Sequence, residues 1–464
     1  MEIIIFSKSV IKSQLDIYLM PQKDKLVISW FYKKSRGELF VGLPIINLIK
    51  ENNSEIEIYF IFNDKKSFEN IGSTNKKIID ELGDAIIGVK EFYIFLMKNL
   101  NNSTLIMTCD SGHNSFSRLA SNIIKKSKVL FHHHAYALHS KNNLKGLEVI
   151  LKDINKKRYL NDGKENPYII LNSNHDVDYY YEIGSFDKDH MILAGSPGYT
   201  DNWLTYLKDK ASLSSEYLRI KKQIKNNTYN HVYFVPIRHA GRLYLTKKNY
   251  DYLIDSIFWL AEKNSDSIFL IKPHPRQKNI NVLSKRCSSS VNNNIILVNE
   301  STLLLSDISD LTISFYSSAI QDSLAVGTPA VEFFRHHIEH TLLVKTDKGE
   351  LISLYTANGF CPFFTKKEDV QNFLKNDQQW QKIFNTSIKN FNLVFPIDNK
   401  TQTQFLSRIN NLFKEASIVT KSKNKVSFLK ITFQIFKIIL FKLLDFFLLR
   451  ETVIRALKNI KSTE

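Results

Sequence analysis

Short apolar runs recur along this chain, and a segment with helical spacing separates each from the next. In the first half they are residues 25–31 (KLVISWF), 55–62 (EIEIYFIF), 104–108 (TLIMT), 128–131 (KVLF), 167–171 (PYIIL) and 190–194 (HMILA). Each is short, apolar and strand-like. Between them, 42–50, 75–82, 90–100 and 115–126 carry apolar residues at helical spacing. Strands alternating with helices mean βαβ units.

Residues 201–230 read as helical, polar and lysine-rich, a plausible hinge. A new α/β unit then starts at 232–237 (VYFVPI), with a helix over 249–263 and a strand over 267–271. A strand at 311–315, another after Gly327-Thr328-Pro329 and a helical region over 369–395 follow. No internal repeat is present. A chain of 464 residues with 43% hydrophobic content has room for two cores. The expected fold is α/β, with two Rossmann-like domains facing a cleft, the arrangement called GT-B. The expected units are 1–210, 228–398 and a basic amphipathic tail over 421–464.

Three cysteines, Cys109, Cys287 and Cys361, without paired spacing argue against a disulfide framework or a zinc site. The beginning MEIIIFSKSVIKSQ has no basic region followed by a long apolar core, so no signal peptide is expected. A cytoplasmic protein fits both. The formal charge of +17 raises nucleic-acid binding. The lysines, however, are spread along the chain without a zinc-finger, basic-zipper or RNP pattern. An anionic membrane surface and anionic substrates account for the same charge.

Residues 426–449, VSFLKITFQIFKIILFKLLDFFLL, support the membrane reading. On a helix, Lys430, Gln434, Lys437, Lys442 and Asp445 fall within one wedge, and Phe, Leu and Ile fill the rest. Charges at the bilayer centre cost about 2.5–3.5 kcal/mol each, which disfavours a spanning helix and favours one lying at the interface. Arg450, Arg455, Lys458 and Lys461 add attraction to anionic lipid. The bland alternative is a helix docked on the protein's own core or in a dimer.

The chemistry-bearing residues stand at strand ends. Lys272-Pro273-His274-Pro275-Arg276 closes one strand, with two prolines stiffening the turn. His274 can donate to a phosphate oxygen or protonate a leaving phosphate, and Arg276 can grip phosphate bidentately. Ser317 and Ser318 precede a helical run whose first-turn N–H groups suit a phosphate, although Ser318 can equally be a plain N-cap. Asp322, one turn on, is placed to reach a ribose diol. Arg238, His239 and Arg242 follow the first strand of the second unit (PIRHAGR). His132, His133 and His134 end a strand of the first unit. Alternation sets His132 and His134 on one face, and His134 is the candidate general base. Asp110 and His113 are secondary candidates. The Asp176-Val177-Asp178 triplet stands at an expected helix start and is better explained by capping than by metal binding.

Taken in order, VYFVPIR, KPHPR, SDISDLTISFYSS and GTPAVEFF resemble the second domain of the CDP-glycerol glycerophosphotransferases that polymerise teichoic acid, and related capsule-building transferases. MILAGSPGYTDNWL resembles that family's Gly-x-Pro-x-x-Asp segment through Gly195, Pro197 and Asp201. The resemblance implies a GT-B fold, a cytidine-linked donor, no metal and no further cofactor, and transfer at the membrane face to a glycan or lipid-linked acceptor. The family's catalytic histidine segment, His-Gly-Thr-Pro-Leu-Lys, matches His134-Ala135-Tyr136-Ala137-Leu138-His139 at its histidine and leucine alone. The family's Thr-Asp-Tyr-Ser-Ser stands here as Ser314-Phe315-Tyr316-Ser317-Ser318. The HP and SS elements are also similar to those of bacterial sialyl- and polysialyltransferases, whose paired-acid-Gly motif is not found here. A CMP-sialic acid or Kdo transferase and a non-catalytic glycan-binding or scaffold subunit therefore stand as alternatives.

Overall fold

The computed structural model describes residues 25–32, 36–109, 115–133, 167–182, 186–226, 229–240, 245–274, 277, 280–290, 292–335 and 343–418. These form two parallel sheets flanked by helices. The first sheet contains β1 (Leu26–Phe31), β2 (Glu57–Phe62), β3 (Asp84–Ile87), β4 (Ser103–Cys109), β5 (Ser127–His132), β6 (Tyr168–Leu171) and β7 (Met191–Leu193). Its spatial order is β3-β2-β1-β4-β5-β6-β7, and every pairing is parallel. The second contains β8 (His231–Ile237), β9 (Ser267–Pro273), β10 (Ile295–Leu297), β11 (Leu311–Ser314) and β12 (Ala330–Phe333). After the antiparallel pair β13 (Leu343–Lys345) and β14 (Leu351–Ser353), β15 (Phe363–Phe364) completes it. Its order is β10-β9-β8-β11-β12-β15, again parallel.

Burial explains the apolar runs. Every residue of β4 is buried. In β1, Ile28 and Trp30 enter one core while Val27 and Phe31 enter the core on the opposite face, as the two-residue period of a strand requires. The expected α/β architecture of two Rossmann-like parallel sheets is what the structure shows.

Both sheets reverse their winding direction, between β1 and β4 and between β8 and β11. At such a reversal, the loops leaving the carboxyl ends of the two strands diverge and open a crevice. The strand-end motifs of the second half lie at this place in its sheet.

The two halves are joined by one continuous apolar cluster. It includes Trp203 and Leu207, Ile320 and Leu324, and Phe391, Phe395 and Phe405. The helix Asn399–Ile418 follows the second sheet in the chain but packs on β4, β5 and β7 of the first. Its Glu415 accepts from the Tyr168 hydroxyl at 3.2 Å and pairs with Arg408 at 2.7 Å. Gly195 has φ +66°, and a Cβ there would lie 2.3 Å from the Pro396 carbonyl oxygen. This close approach lets Ser196 N donate to Pro396 O at 3.1 Å. A side chain at position 195 would push the two halves apart.

Several boundaries differ from the sequence reading. The 201–230 stretch is two helices, Asp201–Ala211 and Ser215–Asn226. The 369–395 region is also two, Lys367–Leu374 and Asp377–Val394, the second capped by Asn376, which accepts from Gln379 N. The short edge strands β3, β10 and β15 were not anticipated, because so few residues carry no period. Asp176 does cap. Its Oδ2 accepts from Ser173 N at 3.1 Å while Ser173 Oγ accepts from Asp176 N at 3.0 Å, a reciprocal capping box. Among the described residues no helix is long and apolar enough to cross a membrane. The tail over 421–464 lies outside the described residues.

Candidate functional site

Three strand ends of the second sheet meet at its reversal point. β8 pairs with β9 through Pro236↔Lys272 and Ile237↔Pro273, and Phe315 N, just past β11, donates to Pro236 O at 3.3 Å. Arg238, His239, Lys272, His274, Ser317 and Ser318 are thereby gathered from segments far apart in sequence.

Arg238 organises the loop after β11. Its Nη1 donates to the Tyr316 carbonyl at 2.8 Å, and its guanidinium lies 5.0 Å from the centroid of the Tyr316 ring. Tyr316 has φ +53°, a left-handed conformation rare for an aromatic residue. Such a backbone costs of order 1–3 kcal/mol and persists where its surroundings hold it. Arg238 supplies part of that hold. Phe334 and Tyr355 supply more, with ring centroids 5.4 Å and 6.2 Å from that of Tyr316.

The left-handed residue turns the chain sharply into Ser317 and Ser318. Ser314 Oγ accepts from Ser317 N at 3.2 Å, and Ser317 Oγ accepts from Ala319 N at 3.3 Å. Ser318 occupies the N-cap position of the helix Ala319–Ala325, yet its hydroxyl makes no capping bond. Capping therefore falls to Ser317.

His239 and His274 face each other, with ring centroids 4.4 Å apart and planes inclined at 37°. Both are partly exposed, as is Lys272. Two imidazoles, an ammonium and a guanidinium beside two hydroxyls have the chemistry to hold a multiply charged anion.

Asp322 departs from its expected placement toward a ribose. It is 3% exposed, and its Oδ1 accepts from the hydroxyl of Tyr199 in the first half of the chain at 3.1 Å. Burial pushes its carboxyl up to about 6, against the hydrogen bonds from Thr302 and Tyr199 and the charge of Lys272. In this structure the carboxylate ties the two halves together.

In the first sheet, His132 is fully buried at the end of β5. Trp30 Nε1 donates to His132 Nε2 at 2.7 Å, so Nδ1 carries the ring proton and donates to His133 O at 2.7 Å. A histidine held so is neutral and cannot act as a base. His133 is 2% exposed, with its Nε2 3.7 Å from Asp176 Oδ2. Both lock the segment that leads to His134. His134, Arg242 and Arg276, with Asp110 and His113, lie outside the described residues.

Sequence reasoning missed Glu332. It lies wholly buried in β12 and accepts from Ser353 Oγ at 2.6 Å and Thr356 Oγ1 at 3.0 Å. Burial pushes its carboxyl up to about 7, with those two hydroxyls pulling the other way. An acid inside the apolar run AVEFF was the available signal.

A family model described as CDP-glycerol:poly(glycerophosphate) glycerophosphotransferase matches residues 39–404. No curated protein matches the chain. Among solved structures, a variant of the wall teichoic acid polymerase TagF aligns with a TM-score of 0.54 at 16% identity, over 89% of this chain and 97% of that one. TagF itself aligns with a TM-score of 0.52 at 15% identity, over 89% and 97%. A UDP-GlcNAc 2-epimerase from Neisseria meningitidis, bound to UDP-GlcNAc, gives 0.49 at 13% identity, over 84% and 99%.

Proposed function

The chain belongs to the CDP-glycerol:poly(glycerophosphate) glycerophosphotransferase family, and from that premise we propose how this transferase works. It moves a glycosyl or polyol-phosphate group from a cytidine-activated donor, CDP- or CMP-linked, to an acceptor hydroxyl. The acceptor is a growing glycan or lipid-linked chain of a bacterial capsule, teichoic acid or lipopolysaccharide. The observation that carries this reading is the gathering of Arg238, His239, Lys272, His274, Ser317 and Ser318 at the β8/β11 reversal. That is where parallel α/β sheets hold nucleotides.

With CDP-glycerol as donor, the acceptor oxygen forms a bond to the glycerol-bearing phosphorus while the bridging P–O bond to CMP breaks. The hydroxyl proton passes to His134, and CMP leaves with the bond's electron pair. His274, His239, Lys272 and Arg276 stabilise the charge that develops on the departing phosphate. Protein cations fill the role that a metal would otherwise take, so transfer proceeds without one. Asp322 reaches a ribose diol only if its bond to Tyr199 opens. The basic, Phe-rich tail holds the enzyme against the anionic inner face of the plasma membrane.

Thermal denaturation with CMP, CDP, CDP-glycerol and UDP compounds tests the donor class. A ligand at 100 times its Kd adds about 2.7 kcal/mol of stability. Cytidine compounds should raise Tm and uridine compounds should not. A preference for uridine compounds contradicts the assignment.

A further inference from the structure

A cavity of about 230 Å³ opens beside the Ser196–Pro396 contact. Three stretches of chain wall it: the helix Arg36–Asn52, the turn leading into the helix Asp201–Ala211, and the start of the helix Asn399–Ile418. Its volume falls below the ~300–1,000 Å³ of sites for drug-sized ligands and suits a single sugar unit.

The lining is layered. Pro44, Pro197 and Trp203 are buried and form an apolar floor. Asn47 is 7% exposed, and its Nδ2 donates to Glu51 Oε1 at 2.8 Å. Around this floor Glu51, Asp201, Asn202 and Asn399 are exposed and Gln402 is half-buried, so a solute can reach their polar ends. The side chains of Asn202, Asn399 and Gln402 make no hydrogen bond to any described residue.

Charge narrows what this cavity can hold. In a chain of net charge +17, the described residues that line it include two carboxylates and neither lysine nor arginine. Two helices begin here, and their first-turn N–H groups would otherwise attract an anion. Side chains take part of that capacity: Thr200 Oγ1 accepts from Trp203 N at 3.2 Å, and Asp398 Oδ1 accepts from Thr401 N at 2.9 Å. Phosphates and acidic sugars would meet Glu51 and Asp201 with no cation beside them.

We infer that this cavity binds a neutral sugar unit of the acceptor glycan, at a place separate from the strand-end cluster. The inference rests on the functional reading above, in which the acceptor is a glycan. Carboxamides both donate and accept, and carboxylates accept, so together they match the hydroxyls of a sugar ring. The apolar floor takes the ring's C–H face. Pro197 and Thr200 flank Tyr199, whose hydroxyl donates to Asp322 at 3.1 Å. A sugar seated here therefore rests on the turn that ties the two halves together.

Saturation-transfer NMR on the full-length protein tests this. The neutral probes are methyl glucoside, methyl galactoside and N-acetylglucosamine; glucuronate is the acidic probe and CDP the competitor. At least one neutral probe should receive saturation, glucuronate should not, and saturating CDP should leave the signal in place. In the double variant Asn202→Ala/Gln402→Ala, the Kd of that probe should rise about five- to tenfold, the worth of one or two hydrogen bonds. Its Tm and its affinity for CDP should not change. No contact with any neutral probe overturns the inference. So do displacement by CDP, a preference for glucuronate, or wild-type affinity in the double variant. A lower Tm with equal weakening of the probe and of CDP also overturns it, since that marks side chains serving the fold. A wild type that binds a neutral probe but not CDP instead overturns the cytidine-donor reading and leaves the sugar site standing.

Discussion

Tyr199, in the first half of the chain, donates its hydroxyl hydrogen to Asp322, in the second half, at 3.1 Å, and both residues are buried. The bond lies at the junction of the halves, within electrostatic reach of Lys272, and couples a titrating group to how the halves are held together. The carboxyl is pushed up from 3.8 to about 6. A raised value means that the folded state binds this proton more tightly than the unfolded one. The resulting stability is complete below about pH 4 and is lost as pH rises through 6. Tyr199→Phe removes a donor that favours the ionised form. It should therefore cost more at pH 7.5 than at pH 5, about 1.5–3 kcal/mol at the higher pH, the worth of a hydrogen bond to a charged group. Denaturant titrations at the two pH values check this.

Glu332 behaves alike, but with hydroxyl partners. Its carboxyl is pushed from 4.5 to about 7, so its contribution to stability is lost as pH rises through that range. Glu332→Gln removes the ionisation. The difference in stability between the variant and wild type should shift in the variant's favour by roughly 3 kcal/mol from pH 4.5 to pH 7.5, following the linkage between proton affinity and stability. A pH-independent difference would show that the carboxyl does not titrate in the fold.

Arg238 should resist conservative exchange. It bonds the Tyr316 carbonyl and lies against the Tyr316 ring at the same time. A lysine ammonium cannot reproduce the planar contact and the fixed donor geometry together. Arg238→Lys should raise the donor KM about tenfold, a loss of about 1.4 kcal/mol. Steady-state kinetics at varied donor concentration read this directly.

The sheets were legible in the sequence for a physical reason. Strands buried on both faces must be apolar throughout, and VYFVPI, IFLI and LTIS could hardly be anything else. Prolines and histidines then marked where β8 and β9 end. The contacts that shape the site were less legible, because they depend on distant partners. Nothing near Tyr316 announces a positive φ, since Arg238 and Phe334 help hold it from other strands. Asp322 was read as a ligand group because its spacing from Ser318 was visible, whereas Tyr199 was not. His132 shared a strand face with the candidate base His134 in the sequence reading, and only Trp30, 102 residues away, shows that its own ring is held neutral. The helix Asn399–Ile418 shows an apolar face, but its return to the first sheet is a matter of topology.

The membrane assignment rests on residues 426–464, and removing them tests it. Lys and Arg near an anionic surface contribute about 1 kcal/mol each. Full-length protein should co-sediment with vesicles containing phosphatidylserine and be released as salt is raised, while the truncated chain stays in the supernatant. Equal sedimentation of both would place the anchor elsewhere or remove it.

If the strand-end cluster performs transfer from a cytidine-activated donor, His274 is the residue whose loss should show it most plainly. Transfer of labelled glycerol phosphate from CDP-glycerol to an oligo(glycerol phosphate) acceptor should be measured for wild type and His274→Ala. Wild type should turn over, and the variant should lose at least about 100-fold, the low end for removing one donor that stabilises charge in the transition state. Near-normal turnover in the variant, or no transfer by wild type, would contradict it.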